Sequence, residues 1–184
     1  MRNLLLLILV LLLGLSIHHF YGRSVPQAPQ PQPVSSAPTR AAAPDFPFTT
    51  LDGKTYQLSE LRGKIVLLNF WASWCAPCKV EFPQFLALAK ERKNVVILAL
   101  SVDHDRQALE KFVADQAELK KLPNVLIAQD KDKAVAQDLF QTIRFPETIL
   151  IDTQGGLVRK YVGLEVDWSS TAFMGQLDGL ANAP

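Results

Sequence analysis

Residues 65–71 read IVLLNFW, an apolar stretch with a single polar position and no alternation between polar and apolar residues. Such a run suits a strand buried on both faces, the mark of a parallel sheet covered by helices on either side. It breaks off at ASWCAPCK, where Pro77 falls in the first turn of a helix, a position that tolerates its missing N–H. Up to about Arg92 the chain then places Val80, Phe82, Phe85, Leu86, Leu88 and Ala89 at roughly helical spacing. A buried strand therefore delivers Cys75 and Cys78, the only two cysteines in the chain, to the start of a helix. Pro83 lies inside that helix, where a lost backbone bond predicts a kink.

The same logic extends downstream. NVVILALSVD (94–103) reads as a second buried strand, and Leu109, Phe112 and Val113 predict a helix near 106–119. A short strand at Val125–Ala128 and a helix at Lys133–Phe140 follow. PETILID (146–152) and LVRKYVG (157–163), separated by TQGG, read as an antiparallel hairpin. A closing helix is expected over Trp168–Leu180, with Phe173 and Leu177 facing inward. Ahead of the core, FPFTTLDGKTYQLSEL turns at Asp52-Gly53 between two short extended pieces. The order is that of an α/β fold with helices on both sides of a mixed sheet.

The first residues belong to something else. Leu4 to Ile17 form an uncharged apolar run, continued by His18, His19, Phe20 and Tyr21. Its length fits a signal-peptide core better than the roughly 20 residues of a spanning helix. Bulky residues follow it, however, and the nearest Ala-x-Ala is Ala41–Ala43, so residues 1–22 are expected to stay attached as a signal anchor, aromatic residues at the outer interface. Residues 23–43 are expected to be an extended, proline-rich tether; six of the twelve prolines fall between Pro26 and Pro44. The domain is expected over 44–184. It holds all 18 acidic residues but 16 of the 19 Lys and Arg, a balance of about −2 that does not suit nucleic acid.

Two cysteines three positions apart admit few uses. A zinc site needs two further ligands, and the domain offers no other cysteine and one histidine, His104. A structural disulfide closing so short a loop would constrain the unfolded chain little. A redox dithiol remains: at a helix N-terminus, unpaired N–H groups and the helix dipole stabilise a Cys75 thiolate. Cys75 would attack a substrate disulfide and Cys78, one turn further in, would resolve the mixed disulfide. Trp74 would flank the nucleophile on the docking surface, and Trp71 would belong to the core. A Cu(I) module built on the two thiolates and His104 is the rival from another class.

WCAPCK looks like the thioredoxin motif WCGPCK, and GKIVLLNFWASWCAPCKVEFP resembles the TlpA/ResA/DsbE-type proteins, membrane-anchored thioredoxin-like thiol–disulfide oxidoreductases of bacterial envelopes. The resemblance covers most of residues 44–180, including PDF at 44–46, SVD at 101–103 and FPETILID at 145–152. It implies a thioredoxin-like fold with an added N-terminal hairpin and a central β/α insertion. It further implies a cis-proline at Pro146 opposing the dithiol, backbone contacts from Phe145 to the bound partner, and no cofactor. Thioredoxin buries an aspartate behind its cysteines where this chain has Asn69, so another group must assist Cys78. Glu81, on the same helix face, is the expected proton partner, and Glu147 is a second candidate. The implied setting is a bacterial inner membrane, single-pass, with the domain in the periplasm or on the outer face. The implied partners are a membrane thiol-transfer reductant and clients such as apocytochrome c or an oxidase copper-site protein. An oxidase or isomerase is the alternative within the same chemistry.

Overall fold

The computed structural model describes residues 40–182. The expected anchor (1–22) and most of the expected tether (23–43) lie outside the described residues. Among those described, no helix is long and apolar enough to cross a membrane. Strands β1 (Pro47–Thr49) and β2 (Thr55–Gln57) form the expected hairpin, a sheet of their own. Then come β3 (Ile65–Trp71), α1 (Ala76–Glu91), β4 (Val95–Ser101), α2 (Arg106–Ala114), β5 (Val125–Gln129), β6 (Glu147–Ile151), β7 (Leu157–Val162) and α3 (Thr171–Ala181). The main sheet has the order β5-β4-β3-β6-β7, with β3, β4 and β5 parallel and β6 and β7 each antiparallel to its predecessor in that order.

Every residue of β3 and β4 is buried, which is why both read as unbroken apolar runs. Alternation splits β3 between two cores. Val66, Leu68 and Phe70 join Phe46, Phe48, Leu98, Leu109, Phe140 and Ile149 on one side. Ile65 and Leu67 join Phe85, Leu88, Leu150, Tyr161, Trp168, Phe173 and Leu177 on the other. Asn69 follows in register on that second side, at the carboxyl end of the central strand.

Several elements differ from the expectation. Helix α1 runs unbroken through Pro83, and Val80, expected inward, is exposed. Helix α2 stops at Ala114, five residues early; a 3-10 turn, Ala117–Lys121, then brings Leu119 and Leu122 against the cores. The predicted helix at 133–140 is a single π-helical turn, Ala134–Leu139, entered through Lys133 in the left-handed region (φ 58°). The Asp130 carboxylate accepts the amides of Val135 and Ala136, and Thr142 N–H reaches back to the Ala136 carbonyl. These bonds replace the ordinary α-helical pairing. Trp168 lies ahead of α3 rather than in it. Residues 41–43, expected in the tether, pair with the β6–β7 turn, and Arg40 forms an ion pair with Asp152.

One side chain ties three elements together: Asn124 Nδ2 lies 2.9, 3.2 and 2.8 Å from the carbonyls of Ala89, Arg92 and Val95. It satisfies carbonyls at the end of α1 that have no helical partner. Asn124→Ala is expected to cost about 1–3 kcal/mol of stability, measurable as a lower urea midpoint with an unchanged slope.

Candidate active site

Cys75 is the N-cap of α1 in extended backbone (φ −82°, ψ 105°), and its Sγ accepts the Cys78 amide at 3.3 Å. Pro77 occupies the first turn, where its lack of an N–H costs nothing. The two cysteines form a disulfide with an S–S distance of 2.01 Å. Both are nearly buried, Cys75 at 6% and Cys78 at 2% exposure, while Trp74, Ala76 and Pro77 around them face solvent. Trp71 is core, as its place on the apolar run implied; Trp74 is 62% exposed.

The Phe145-Pro146 peptide bond is cis. The Phe145 ring meets Trp74 edge-on, with centroids 6.3 Å apart. Ile143, 80% exposed, lies two residues before Phe145. The loop that leads to Cys75 is held from behind: the Asp103 carboxylate accepts both Ser73 N–H (2.8 Å) and Ser73 Oγ–H (2.7 Å), and Ser101 Oγ–H at 2.6 Å. Asp103 was legible only as part of an SVD string; its role emerges from the fold, which brings the end of β4 beside the exit of β3.

Glu81 lies three residues after Cys78 on the same face of α1 and is 2% exposed. Its Oε1 accepts the Trp168 indole N–H at 2.7 Å, and its Oε2 accepts Asn69 Nδ2 at 3.4 Å. Asn69 donates more closely to Thr148 Oγ1, at 3.0 Å. Asn69, where thioredoxin has an acid, thus meets the acid this chain supplies from its helix. Burial favours the neutral carboxyl, while both hydrogen bonds favour the anion; burial wins, and the group is pushed up to about 7 from an ordinary 4.5. Glu81 therefore sits in the range where a thiol proton can be taken and returned.

Glu147 is placed elsewhere. Its carboxylate accepts Thr142 Oγ–H and pairs with Lys160 Nζ at 2.9 Å. Strand alternation turns it to the opposite side of β6 from Thr148, Asn69 and Glu81. It braces the loop before Pro146 and is not available to Cys78, because its position in the pleat points it into the other core. His104 is exposed on the loop after β4. Among the described residues, no three His, Cys, Asp or Glu side chains converge as a metal site, so His104 does not join the thiols.

A dithiol at a strand-to-helix junction, in a fold that also holds a cis-proline, has counterparts. The model of the family described as Redoxin matches residues 38–172. The chain belongs to the Redoxin family. Among curated relatives it is 32% identical over 166 residues to the thiol-disulfide oxidoreductase ResA of Bacillus subtilis (strain 168), covering 88% of this chain and 83% of that one. It is 38% identical over 123 residues to a ResA of Bacillus cereus, 66% of this chain and 68% of the relative. Among solved structures, one assigned as the thiol:disulfide interchange protein DsbE of Chlorobium tepidum superposes with a TM-score of 0.65 at 28% identity, over 79% of this chain and 99% of that one. The exposed lipoprotein thioredoxin Etrx1 of Streptococcus pneumoniae strain TIGR4 gives 0.60 at 28% identity, over 74% and 100%. This Redoxin domain is a thioredoxin-like thiol–disulfide oxidoreductase of the ResA/DsbE type.

The raised Glu81 pKa has a consequence for stability. Below pH 4.5 the carboxyl is protonated in folded and unfolded chains alike, and its burial carries no charge penalty. As pH rises from 4.5 to about 7, the unfolded chain ionises first, so stability is lost progressively, by on the order of 3 kcal/mol. Glu81→Gln is expected to flatten that slope, checked by urea unfolding of the disulfide-bonded protein between about pH 4 and pH 8.

Proposed function

We propose that this chain is a membrane-tethered, envelope-facing reductant of specific protein disulfides, held by residues 1–22 and spaced from the membrane by the proline-rich residues 23–39, residues 40–43 being docked on the domain. The carrying observation is the two-sided build of the dithiol: exposed Trp74 and half-buried Phe145 on the client side, buried Glu81 behind Cys78. In the reduced state, the helix N-terminus favours a Cys75 thiolate. Cys75 attacks one sulfur of the client disulfide; a Cys75–client bond forms, the client S–S bond breaks, and one client thiolate leaves. Cys78 gives its proton to Glu81 and attacks the Cys75 sulfur. The Cys75–Cys78 disulfide forms and the second client sulfur leaves, so the client gains the two electrons that the dithiol loses. Phe145, before the cis-proline Pro146, offers backbone to the docked client, and Trp74 covers its other side.

In an oxidising compartment the disulfide must then be reduced again, and a membrane thiol-transfer protein is the donor this reading assigns. The clients are apocytochrome c haem-site cysteines or an oxidase copper-site protein. Ala-Pro between the cysteines stands closer to the Gly-Pro of reducing thioredoxin than to an oxidant, and this favours the reducing direction over an oxidase or isomerase.

Cys78→Ser is expected to accumulate mixed disulfides through Cys75 in envelope extracts, visible on non-reducing gels and lost in the Cys75→Ser, Cys78→Ser double variant. Absence of any captured client defeats the reading. Glutathione equilibration decides direction: a potential near roughly −270 mV fits a reductant, one near roughly −120 mV an oxidase.

A further inference from the structure

The second partner of Glu81 comes from the far end of the chain. Trp168 lies three residues before α3 and is 1% exposed. Besides the 2.7 Å indole bond to Glu81, its backbone N–H donates to Gln84 Oε1 at 3.2 Å. Residues 81 and 84 are neighbours one turn apart on α1, so Trp168 is fixed to that helix at two points. Its ring is enclosed by Phe85, Tyr161 and Phe173, with centroids 5.0, 5.3 and 4.9 Å away. The indole cannot swing without displacing three aromatic neighbours from α1, β7 and α3, so the direction of its N–H is set by packing.

We propose that Trp168 is a positioning residue for the thiol–disulfide reaction: its indole N–H aims the Glu81 carboxyl and stabilises the anion that receives the Cys78 proton. The inference rests on the reading of Glu81 as that proton partner. Indole N–H donates and cannot accept, so it binds the carboxylate more strongly than the protonated acid and favours the anion. Asn69 does the same over a longer 3.4 Å contact while committed to Thr148. The groups facing Glu81 are Cys78 from its own helix, Asn69 from β3 and Trp168 from the segment before α3, and no charged side chain contributes to its ionisation. The tryptophan N–H is thus the closest donor the anion has, and without it burial would hold the carboxyl protonated to higher pH. The same segment begins at Gly163, whose N–H donates to the Pro146 carbonyl at 2.8 Å. Residues 163–168 therefore join the cis-proline corner to the proton partner.

Trp168→Phe keeps a ring against Phe85, Tyr161 and Phe173 and deletes the donor. In the full-length, disulfide-bonded protein, carboxyl carbon-13 NMR is expected to show the Glu81 titration midpoint rising by about one to two pH units. The pH profile of exchange between the reduced protein and a small aromatic disulfide should move up by the same amount, and should not move when W168F is placed on E81Q. An unmoved Glu81 midpoint, or a rate lowered equally at every pH, overturns the proposal and leaves Trp168 as packing. If W168F does not fold, benzothienylalanine at position 168 replaces the indole N–H with sulfur at nearly constant shape. The same rise supports the proposal, and an unchanged midpoint overturns it. E81Q with wild-type exchange rate and pH profile instead defeats the proton-partner reading, and the positioning role with it, even where the midpoint moves.

Discussion

A carboxylic acid buried against the end of the central strand is held in balance between desolvation and the donors aimed at it, and Glu81 is balanced near neutral pH. Burial raises its pKa; Trp168 and Asn69 lower it. The balance depends on three distant parts of the chain arriving together: the dithiol helix, the central strand and the segment before the last helix. Because the helix that carries Glu81 also carries Cys78 and is capped by Cys75 Sγ, a shift in that packing moves the acid and both sulfurs as one body.

Two further buried carboxylates share the surroundings and do different work. Asp103 accepts three hydrogen bonds and holds the turn that presents Trp74. Glu147 is neutralised by Lys160 and fixes the loop that presents Phe145. Each satisfies its charge locally, as buried ions must. Glu81 differs in lying one helical turn from Cys78 and in meeting two neutral donors from distant parts of the chain, which do not outweigh its burial.

The strands, the dithiol helix and the terminal hairpins were legible because burial on one or two faces imposes a period on the sequence, and turns such as Asp52-Gly53 and TQGG punctuate it. Glu81 was legible as a residue on the cysteine face of its helix, but its burial depends on what lies above that face. The Trp168 contact spans 87 residues and has no local signal. Glu147 adjoins Pro146 in sequence yet points away, since one step along a strand reverses the side chain. The π turn at Ala134–Leu139 escaped a helical reading because Asp130 and Thr142, outside the segment, dictate its pairing.

The guarded ends of the sheet bear on life among other chains. An open strand edge invites a neighbour to pair with it. At β5 the N-terminal hairpin lies across the edge, with Leu51 N–H on the Ile127 carbonyl and Thr50 bridged to Ala128. At β7 residues 41–43 cover the start of the strand, and exposed Arg159 and Lys160 follow. For a thiol–disulfide oxidoreductase this has a use wherever its substrate is another chain with extended backbone: contact can end in exchange of electrons without ending in co-aggregation.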